Sequence, residues 1–384
     1  MRRVTVVGFD GTQLTLPPAS LLVGGERHLA QVDSAAERVV LGPLKPALER
    51  IAAHDGDVVV IASGDPGFFG IVRALHEMGE DPVVRPAVSS VALAFSRAGL
   101  PWDDAIVVSA HGRSLRRAAN VCRAHPKVAV LTAPGSGPAE LASLLDGVPR
   151  QFVVASRLGH DDEQVSTLDA ADALGRDWPD PNVVLCLRHP DRDREPGWVA
   201  GWRPPAAGWA KRESAYAHRD SMITKAEVRA LVIAKLGPRL GDLIWDVGAG
   251  SGSVAAECAT HGAAVIAIDH DPEAAGFIAA NAPSAQIVLG QAPDCLEALP
   301  EPDAVFIGGG GLTVLTACLQ RESARIVLAL AAIDRVTAAV AQLEQAGYGV
   351  EAVQLQASRL KPLPDGSLRL AAVNPVFVVS GEAL

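Results

Sequence analysis

The sequence predicts an α/β protein of two domains, and three observations lead to this fold class. The chain has 384 residues, which is more than one ordinary hydrophobic core requires. Short apolar segments alternate with segments of helical periodicity, as expected for βαβ units. This alternation stops over about residues 189–214 and then starts again. We therefore expect one domain at residues 1–200 and a second at residues 201–384.

The first domain is predicted from apolar runs short enough to be strands that are buried on both faces of a sheet. Six such runs lie at residues 4–8, 58–62, 105–109, 128–132, 152–156 and 183–187. Helical segments between them lie at residues 43–53, 68–78, 90–99 and 138–145. This order of strands and helices predicts parallel sheets in the first domain.

The segment from His189 to about Ser214 is rich in proline, glycine, tryptophan and charged residues. It shows neither the period of a strand nor that of a helix, and we interpret it as an interdomain linker. Its tryptophans, Trp198, Trp202 and Trp209, are expected to pack the linker onto a neighbouring surface. A stacking platform for a ligand is the alternative interpretation.

The second domain is predicted to contain five βα units followed by a hairpin. Strands are expected at residues 243–247, 265–269, 286–289, 304–307 and 325–329. Helices are expected at residues 225–236, from about Gly252, after Pro272 and at 334–345. Two long strands, at about 350–357 and 369–379, close the chain around a turn at Pro364-Asp365-Gly366.

Composition excludes several classes of protein. A formal net charge of −10 argues against a nucleic-acid partner, which requires a basic field. No segment approaches the roughly 18 to 20 apolar residues of a membrane span, and the apolar run after Met1 is too short for a signal peptide. The five cysteines form no C-x-x-C pair, so we expect no metal site, no disulfide framework and a cytoplasmic location.

A glycine-rich turn between a strand and a helix marks a nucleotide-like site in the second domain. The turn consists of Gly248, Ala249, Gly250, Ser251 and Gly252. Glycine allows the backbone to approach a ligand closely, and the following helix start offers free amide donors. A dinucleotide site of a dehydrogenase is one reading. Ser253 at the sixth position and Asp246 inside the strand favour S-adenosylmethionine (SAM), because a carboxylate there suits an ammonium group.

Further residues complete this predicted pocket. Asp269 ends the next strand, where a carboxylate accepts hydrogen bonds from ribose hydroxyls. Asp271 fits better as the cap of the helix that starts at Pro272. Ala292 follows the third strand, where an adenine base would lie. The glycine run that contains Gly309 and Gly310 is expected to leave space for a large flat substrate, a flexible loop being the alternative.

These motifs carry a family resemblance. RDSMITKAEVRALVIAKL, WDVGAGSGSVA, LGQAPD and FIGGGG resemble the C-terminal methylase and decarboxylase module of the precorrin-6Y C5,15-methyltransferase family, over most of residues 216–381. The resemblance implies a Rossmann-like class I methyltransferase domain with a terminal β-hairpin. It also implies that Thr224 helps to cover SAM, and that Asp269 and Ala292 complete the pocket.

The first domain shows a second motif, Ser63-Gly64-Asp65-Pro66-Gly67 after an apolar strand. Locally, Asp65 could simply cap a helix and the rest could form a turn. In context, the motif is similar to the GDP loop of the tetrapyrrole methylases. The resemblance covers residues 1 to about 188 and implies a two-lobed fold that holds SAM between its lobes. The implied SAM-binding residues are Gly8, Gly64, Asp65, Pro66, Ser89 and Ser90.

One segment departs from the tetrapyrrole methylase pattern. The family's first strand usually ends in a turn with several glycines, whereas this chain has only Gly8 and Gly11 there. These two glycines are still expected to form an open turn toward the ligand. Farther along, the SAHGR segment ends a strand, and its His111 is a candidate for proton transfer or substrate contact, a structural role being the alternative.

The two resemblances together imply methylation of precorrin-6Y at C5 by the first domain. The second domain would methylate C15 and remove the C12 acetate carboxyl, giving precorrin-8X in cobalamin biosynthesis with two SAM per turnover. Guanidinium groups suit the carboxylates of such a tetrapyrrole. The cationic candidates are Arg113, Arg116 and Arg117 in the first domain and Arg219, Arg359 and Lys361 in the second, solvated surface charge being the alternative for each.

Other functions stay open from the sequence. The substrate could be a cobalt-containing precorrin of the anaerobic pathway. The chain could also be a non-catalytic SAM-binding protein, or a dehydrogenase if NAD binds the turn at Gly248. A homo-oligomer is the expected state of assembly.

Overall fold

A computed structural model describes residues 2–12, 14–42, 44–188, 200–201, 208–220 and 222–384. The chain divides into two compact units. The first unit comprises Met1–Leu115 and Lys127–Gly201, and the second comprises Arg116–Pro126 and Trp202–Leu384. Trp198 and Trp202 lie outside the described residues. Trp209 is described, and its exposed ring contacts the ring of His261 edge to face.

The first lobe of the first unit is a parallel sheet with helices. Its elements are β1 (Val4–Phe9), β2 (Leu21–Gly24), α1 (Glu26–Leu29), β3 (Glu37–Val40), α2 (Leu44–Ala52), β4 (Val58–Ser63), α3 (Val72–Glu77) and β5 (Val83–Arg85). The strand order is β3-β2-β4-β1-β5, and every pairing is parallel. After β1 the chain continues to β2, toward one edge of the sheet, and after β4 it continues to β5, at the other edge. The switch point of this topology therefore lies between β1 and β4.

The second lobe of the first unit has a mixed sheet. The elements that follow β5 are α4 (Ser90–Ala98), β6 (Ile106–Ser109), α5 (Leu115–Ala124), β7 (Lys127–Leu131), α6 (Pro138–Leu144), β8 (Gln151–Ser156), β9 (Gln164–Asp169) and β10 (Asn182–Leu187). Of these, α5 belongs to the second unit from Arg116 onward. The order is β6-β7-β10-β8-β9, and only β6 and β7 pair in parallel. The prediction of a parallel sheet was wrong here. A strand buried on both faces has the same apolar pattern in either direction.

The second unit has one large sheet. Its elements after β10 are α7 (Ala226–Leu236), β11 (Leu243–Val247), α8 (Ser253–Thr260), β12 (Ala264–Asp269), α9 (Pro272–Asn281), β13 (Gln286–Leu289), β14 (Ala304–Ile307), α10 (Gly311–Cys318), β15 (Arg325–Leu330), α11 (Ile333–Gln345), β16 (Tyr348–Leu355), β17 (Ser358–Pro362), β18 (Leu368–Ala372) and β19 (Val376–Ala383). The strand order is β13-β12-β11-β14-β15-β19-β16. The first five strands are parallel, and β19 runs antiparallel to both of its neighbours. The core includes the fully buried ring of Trp245 on β11.

The predicted terminal hairpin is present but divided. β16 pairs with β19, and β17 pairs with β18 as a separate two-stranded sheet. The predicted second strand is interrupted at Pro375, since proline has no N–H for a ladder. The tip is a tight turn as predicted, in which the N–H of Gly366 donates to the carbonyl of Leu363 at 3.0 Å.

All the predicted strands other than that interrupted one are found, and each predicted helix has a counterpart. The helix predicted from residue 68 starts only at Val72. Eight helices and strands of the described residues were not predicted, namely β2, α1, β3, β5, α5, β9, α10 and β17. No helix among the described residues is long and apolar enough to cross a membrane.

Candidate functional sites

The second unit has a cavity of about 370 Å³ at the carboxyl ends of its parallel strands. The loops that follow β11, β12, β13 and β14 all contribute to its lining. Predicted residues on the lining are Gly248, Gly250, Ser251, Asp269, Ala292, Gly309, Gly310 and Arg219. In a doubly wound sheet this edge is where ligands bind. The folding of the chain thus brings most of the predicted SAM residues to one place.

The three glycines of the turn after β11 have different physical reasons to be glycine. All three have a positive φ, at 74° for Gly248, 52° for Gly250 and 69° for Gly252. A Cβ at Gly248 would lie 2.6 Å from the backbone N of Gly309, and one at Gly252 would lie 3.1 Å from the Cα of Ile278. A Cβ at Gly250 would meet no protein atom within 4 Å. Gly250 is therefore the glycine whose missing side chain leaves room for a ligand.

Asp269 links the turn to the end of β12. Its Oδ2 accepts a hydrogen bond from the N–H of Gly250 at 2.8 Å, and its Oδ1 accepts one from the N–H of Asp271 at 3.0 Å. Asp271 caps α9 as predicted, through a bond from the N–H of Glu273 at 2.9 Å. Each Asp269 oxygen keeps a lone pair, so the carboxylate can still accept ribose hydroxyls.

Asp246 lies beneath the turn and does not line the cavity. Its Oδ2 accepts a hydrogen bond from the N–H of Ala255 at 2.9 Å, and its buried Oδ1 has no partner among the described residues. Burial, and then the charge of Asp269, raises the pKa of Asp246 to about 7. The predicted contact with an ammonium group stays a prediction, because the structure places this carboxyl group inside the protein.

The segment before α7 reaches the cavity through Arg219 and Met222. Arg219 contacts Glu273 at 2.5 Å and Asp271 at 3.4 Å, so its charge is already balanced. Thr224 and Ala249 are absent from the cavity lining. The carbonyl of Thr224 instead accepts a hydrogen bond from the guanidinium of Arg229.

A buried network that the sequence analysis missed holds this segment. Arg229 and Glu257 are almost completely buried and pair at 2.6 Å. Glu257 also accepts hydrogen bonds from the N–H of Ala210 at 2.9 Å, the N–H of Lys211 at 3.2 Å and the hydroxyl of Tyr216 at 2.9 Å. One carboxylate therefore fixes the path of the chain into α7. The sequence offered one indication of this network. Arg229 and Glu257 each interrupt the apolar residues of a predicted helix, and charged residues in such positions are buried only when they are paired.

The two cationic candidates on the β17–β18 hairpin differ. Arg359 forms bidentate pairs with Glu213 and Glu227, at 2.6 to 3.0 Å. Lys361 is exposed. Arg359 therefore already has two carboxylate partners, and its role as a substrate contact stays a prediction.

In the first unit, the predicted loop residues meet at the switch point between β1 and β4. A Cβ at Gly8 would collide with the carbonyl O of Gly64 and the backbone N of Ala87. Gly64 has a φ of 62°, and a Cβ there would lie 3.1 Å from the Cα of Ser89. Three backbone segments thus touch each other at the carboxyl edge of the sheet, which is the ligand-binding edge of such sheets.

The side chains of this loop mostly serve local turns. Asp65 Oδ1 accepts a hydrogen bond from the N–H of Gly67 at 2.8 Å, and Pro66 is buried. Asp65 does not cap a helix, since the next helix starts at Val72. Ser89 caps α4 by accepting from the N–H of Ala92 at 3.2 Å, and Ser90 is the first residue of that helix.

The cationic candidates of the first domain are dispersed. His111 and Arg117 are exposed. The guanidinium of Arg113 lies 5.6 Å from the ring centroid of Phe69, which has a φ of 54°. Arg116 falls in the second unit and pairs with both carboxylate oxygens of Asp303, at 2.6 and 3.1 Å.

Sequence reasoning also missed a basic group beside the loop after β4. Nη2 of Arg27 donates to Ser63 Oγ at 3.2 Å, and Ser63 Oγ lies 3.2 Å from Nε2 of His28. Burial, followed by the charges of Arg27 and His160, lowers the pKa of His28 to about 4. Arg27 and His28 belong to the GGERHL segment. Its two glycines follow a short apolar run, and this pattern could have indicated a strand that ends in a turn.

In the parts of the chain that the structure describes, no group of His, Cys, Asp and Glu could hold a metal ion. Each unit has glycines at the carboxyl edge of its parallel strands, beside backbone and side-chain hydrogen-bonding groups. The strand order of the large sheet of the second unit, with only the seven strands of that sheet numbered, is 3-2-1-4-5-7-6 with strand 7 antiparallel. This is the arrangement of class I SAM-dependent methyltransferases, and it differs from the 3-2-1-4-5-6 order of dinucleotide-binding domains.

Comparison with known families gives the class of each half. Residues 29–174 match the model of the tetrapyrrole (corrin/porphyrin) methylases. Residues 214–379 match the model of a precorrin methyltransferase domain. The chain is thus built from two methyltransferase modules, and SAM is the methyl donor of this class.

Relatives narrow the class to a family. A Sinorhizobium protein named precorrin-6Y C(5,15)-methyltransferase [decarboxylating] is 38% identical over 322 residues, which are 79% of this chain and 75% of the relative. The chain belongs to this precorrin-6Y C(5,15)-methyltransferase (decarboxylating) family. The predicted fold, a tetrapyrrole methylase module followed by a class I methyltransferase module, is confirmed.

Two relatives correspond to parts of the chain. A Salmonella typhimurium protein named cobalt-precorrin-7 C(5)-methyltransferase is 35% identical over 203 residues, 48% of this chain and 98% of the relative. A Pyrobaculum calidifontis protein named "probable cobalt-precorrin-6B C(15)-methyltransferase (decarboxylating)" is 34% identical over 174 residues, 42% of this chain and 89% of the relative. Each of these proteins is therefore matched by about half of this chain.

Proposed function

We propose that this chain methylates precorrin-6Y at C5 and C15 and removes the carboxyl group of the C12 acetate, giving precorrin-8X in cobalamin biosynthesis. The observation that carries the proposal is the pairing, in one chain, of two separate glycine-lined strand edges with matches to both module families. Family membership over most of the chain supports the same reaction.

The second unit is assigned the C15 methylation and the decarboxylation. Asp269 would hold the ribose of SAM, and the loop at Ala292 would lie against the adenine. Bound SAM supplies an electrophilic methyl group on a sulfonium. A reduced tetrapyrrole has an enamine-like meso carbon, so the protein needs to align that carbon with the S–CH3 bond and exclude water. The open space beside Gly250, Gly309 and Gly310 suits this alignment of two ligands.

Decarboxylation places a different demand on the site. The C–CO2 bond breaks and its electron pair moves into the conjugated imine of the protonated ring, which releases carbon dioxide. The ring itself is the electron sink, so no protein electrophile is required. The C12 acetate must stay ionised to leave as carbon dioxide. The guanidinium of Arg219 lies at the cavity wall and, although it pairs with Glu273 and Asp271, its five N–H groups allow a further hydrogen bond that would orient the acetate.

The first unit is assigned the C5 methylation. Its backbone junction at Gly8, Gly64 and Ser89 would contact SAM, and Asp65 and Pro66 shape the loop. His111 and Arg113 stay candidates for contact with the ring. The C(5)-methyltransferase named among the relatives supports the assignment, since it is matched by nearly half of this chain.

Several finer statements belong to the same proposal. The reaction consumes two SAM, one in each unit, and requires no resident metal. We place the protein in the cytoplasm, because the cysteines are scattered along the sequence and form no C-x-x-C pair, which fits a reducing compartment. We also infer a homo-oligomer, which is supported by the exposed side chains of Leu360, Leu368 and Leu370 on the β17–β18 hairpin. Light scattering of the protein would test the oligomer.

The test of the reaction is incubation of the full chain with precorrin-6Y and SAM, followed by mass spectrometry. The expected product has gained two methyl groups and lost one carbon dioxide. A product with a single methyl group would contradict the proposal. A cobalt-containing substrate is the second candidate, because two relatives are named for cobalt-precorrins. A parallel incubation with the cobalt form decides between them.

A further inference from the structure

Arg27 lies at the ligand-binding edge of the first sheet without a carboxylate partner. It follows the carboxyl end of β2, and β2 is the neighbour of β4 in the sheet. Its guanidinium reaches Ser63, the last residue of β4, which directly precedes Gly64. Within the described ranges of the chain, no Asp or Glu pairs with Arg27, whereas Arg2, Arg50 and Arg97 of the same unit all have such partners.

The surroundings of Arg27 add positive charge rather than compensate it. Burial, and then the charge of Arg157, lowers the pKa of the Arg27 guanidinium below its usual range. Arg157 has a φ of 53° and contacts Asp162 at 2.8 Å. His160 is close enough to act on His28. Arg157 therefore has a carboxylate partner in Asp162, whereas Arg27 has the positive charge of Arg157 nearby, and this favours an incoming anion at Arg27.

Ser63 and His28 orient the guanidinium of Arg27. Because Arg27 donates to Ser63 Oγ, the hydroxyl hydrogen of Ser63 can donate to Nε2 of a neutral His28. The ring of His28 is itself held in place by an edge-to-face contact with Phe9 on β1. This chain of contacts reduces the rotamer freedom of the long Arg27 side chain, whose guanidinium is partly buried although the residue as a whole is exposed.

We propose that Arg27 binds a carboxylate of the tetrapyrrole substrate in the first unit, and that Ser63 and His28 are its positioning residues. The inference rests on the proposed function, because it takes its ligand from that reaction. Guanidinium pairs bidentately with carboxylate, and a precorrin carries many acetate and propionate groups. SAM also has a carboxylate, but its adjacent ammonium group would be repelled by Arg27 and Arg157.

The matched control is Arg3, an exposed arginine at the amino end of β1. The register pairs Val4 with Val58 and Phe9 with Ser63, so Arg3 lies at the opposite edge of the same sheet. Arg3→Ala and Arg27→Ala therefore remove the same charge from the same unit at different places. Arg27→Lys keeps the charge and removes the bidentate geometry.

The experiment measures the KM for precorrin and the KM for SAM in C5 methylation by the full chain, with C15 methylation in the same chain as internal reference. Arg27→Ala should raise the KM for precorrin about tenfold or more, since a charge-assisted pair is lost. The KM for SAM and the C15 reaction should not change. The KM for precorrin of Arg27→Lys should lie between those of the parent chain and Arg27→Ala. The KM of Arg3→Ala should equal that of the parent chain.

An absorbance titration of the same variants with precorrin, without turnover, separates this inference from the proposed function. If the parent chain binds the ring but does not methylate C5, the proposed function fails, and the comparison of Arg27→Ala with Arg3→Ala still decides the inference. The second unit also binds precorrin in the proposed function, so the titration is fitted with two sites, and an unchanged affinity at both sites in Arg27→Ala would overturn the inference. So would a raised KM for SAM with an unchanged KM for precorrin.

Discussion

The two units both place glycine at the carboxyl edge of a parallel sheet, but for different reasons. In the first unit, Gly8 is glycine because the backbone of Gly64 and Ala87 occupies the space of a side chain. In the second unit, Gly250 is glycine although no protein atom occupies that space. The glycine at Gly8 is thus required by packing, whereas a side chain at Gly250 is disfavoured by a φ of 52° and by what enters the cavity.

The charges at the two edges also differ. The cavity of the second unit has Asp269 and Asp271 on its wall, whereas the first unit presents Arg27 and Arg157 near Ser63. The sulfonium of SAM is positive and the side chains of a precorrin are negative. The cavity wall of the second unit also has Arg219, which pairs with Asp271 and Glu273, so Asp269 is left to a positive ligand such as SAM, whereas Arg27 of the first unit is left to a negative one.

The largest expected effect comes from filling the cavity glycine. Gly250→Val should lower C15 methylation and decarboxylation at least a hundredfold or so, because a branched side chain takes the place of SAM. The unit should stay folded, with a cost of about 1–2 kcal/mol for a non-glycine residue at a positive φ. Product mass spectrometry and calorimetric melting check this. Gly276→Ala on α9, where a Cβ meets no atom within 4 Å, is the control, and normal C15 turnover by Gly250→Val would refute the assignment.

The opposite behaviour is expected at Gly8. Gly8→Ala should destabilise the first unit by about 3 kcal/mol, since two backbone groups must move to admit one methyl group. C5 methylation should fall together with stability while C15 methylation persists. Hydrogen exchange of peptides from β1 and β4 measures the effect, with Gly42→Ala, which meets no atom within 4 Å, as control. If Gly8→Ala keeps its stability and loses only SAM affinity, Gly8 is required by the ligand rather than by packing, and the proposed contrast with Gly250 is wrong.

Asp269→Ala should weaken SAM binding at the second unit by about 1.5–3 kcal/mol, the scale of a lost hydrogen bond to a charged group. The same change removes the acceptor of the Gly250 N–H, so part of the loss comes from a looser turn. Calorimetric titration with SAM measures the affinity. Asp365→Ala, an exposed acid at the hairpin tip, should have no effect. An unchanged affinity in Asp269→Ala would show that Asp269 is not the ribose ligand.

The smallest expected effect is on pH dependence, and it has opposite sign in the two units. Burial lowers the pKa of His28 from 6.5 to about 4, so between these values the unfolded first unit binds a proton that the folded unit does not. Its stability therefore falls as the pH falls. Burial raises the pKa of Asp246 from 3.8 to about 7, so the folded second unit holds a proton that the unfolded chain releases. Its stability therefore falls as the pH rises.

Each group contributes at most about 1.4 kcal/mol per pH unit. Hydrogen exchange without SAM between about pH 5 and pH 6 separates the units peptide by peptide. His28→Gln should flatten the pH dependence of the first unit alone, and Asp246→Asn that of the second alone. Slopes of the same sign in both units would contradict the two assignments.

The sequence could predict the second site better than the first. The turn at residues 248–252 and Asp269 stand in continuous motifs after long apolar strands, so their meeting at one edge follows from the parallel order. The first site depends on β2, whose four buried residues are too few for a periodicity argument. Arg27 and His28 follow that strand, and their approach to Ser63 is visible only once β2 is placed beside β4.

Two other differences have equally local causes. α5 was not predicted because three arginines lie among its ten residues, although Ala118, Val121 and Cys122 form a buried face. The direction of β8 and β10 was not predictable, because apolar residues on both faces carry no information on the partner strand's direction. The ion pairs of Arg116 and Arg359 were also not predictable. Their partners, Asp303 for Arg116 and Glu213 and Glu227 for Arg359, are distant in sequence and no local pattern indicates them.

The buried carboxylate of Glu257 determines where a truncated chain that contains the second domain can begin. Its partners at Ala210, Lys211 and Tyr216 all precede α7, and the family match begins only at residue 214. A truncated gene that starts at codon 214 would therefore leave the Glu257–Arg229 pair without two of its backbone donors and without the Lys211 carbonyl. A start at codon 208 keeps them all. The start of this segment is thus set by the reach of one side chain rather than by where sequence similarity begins, and Arg116–Pro126 of the second unit are absent from both truncations.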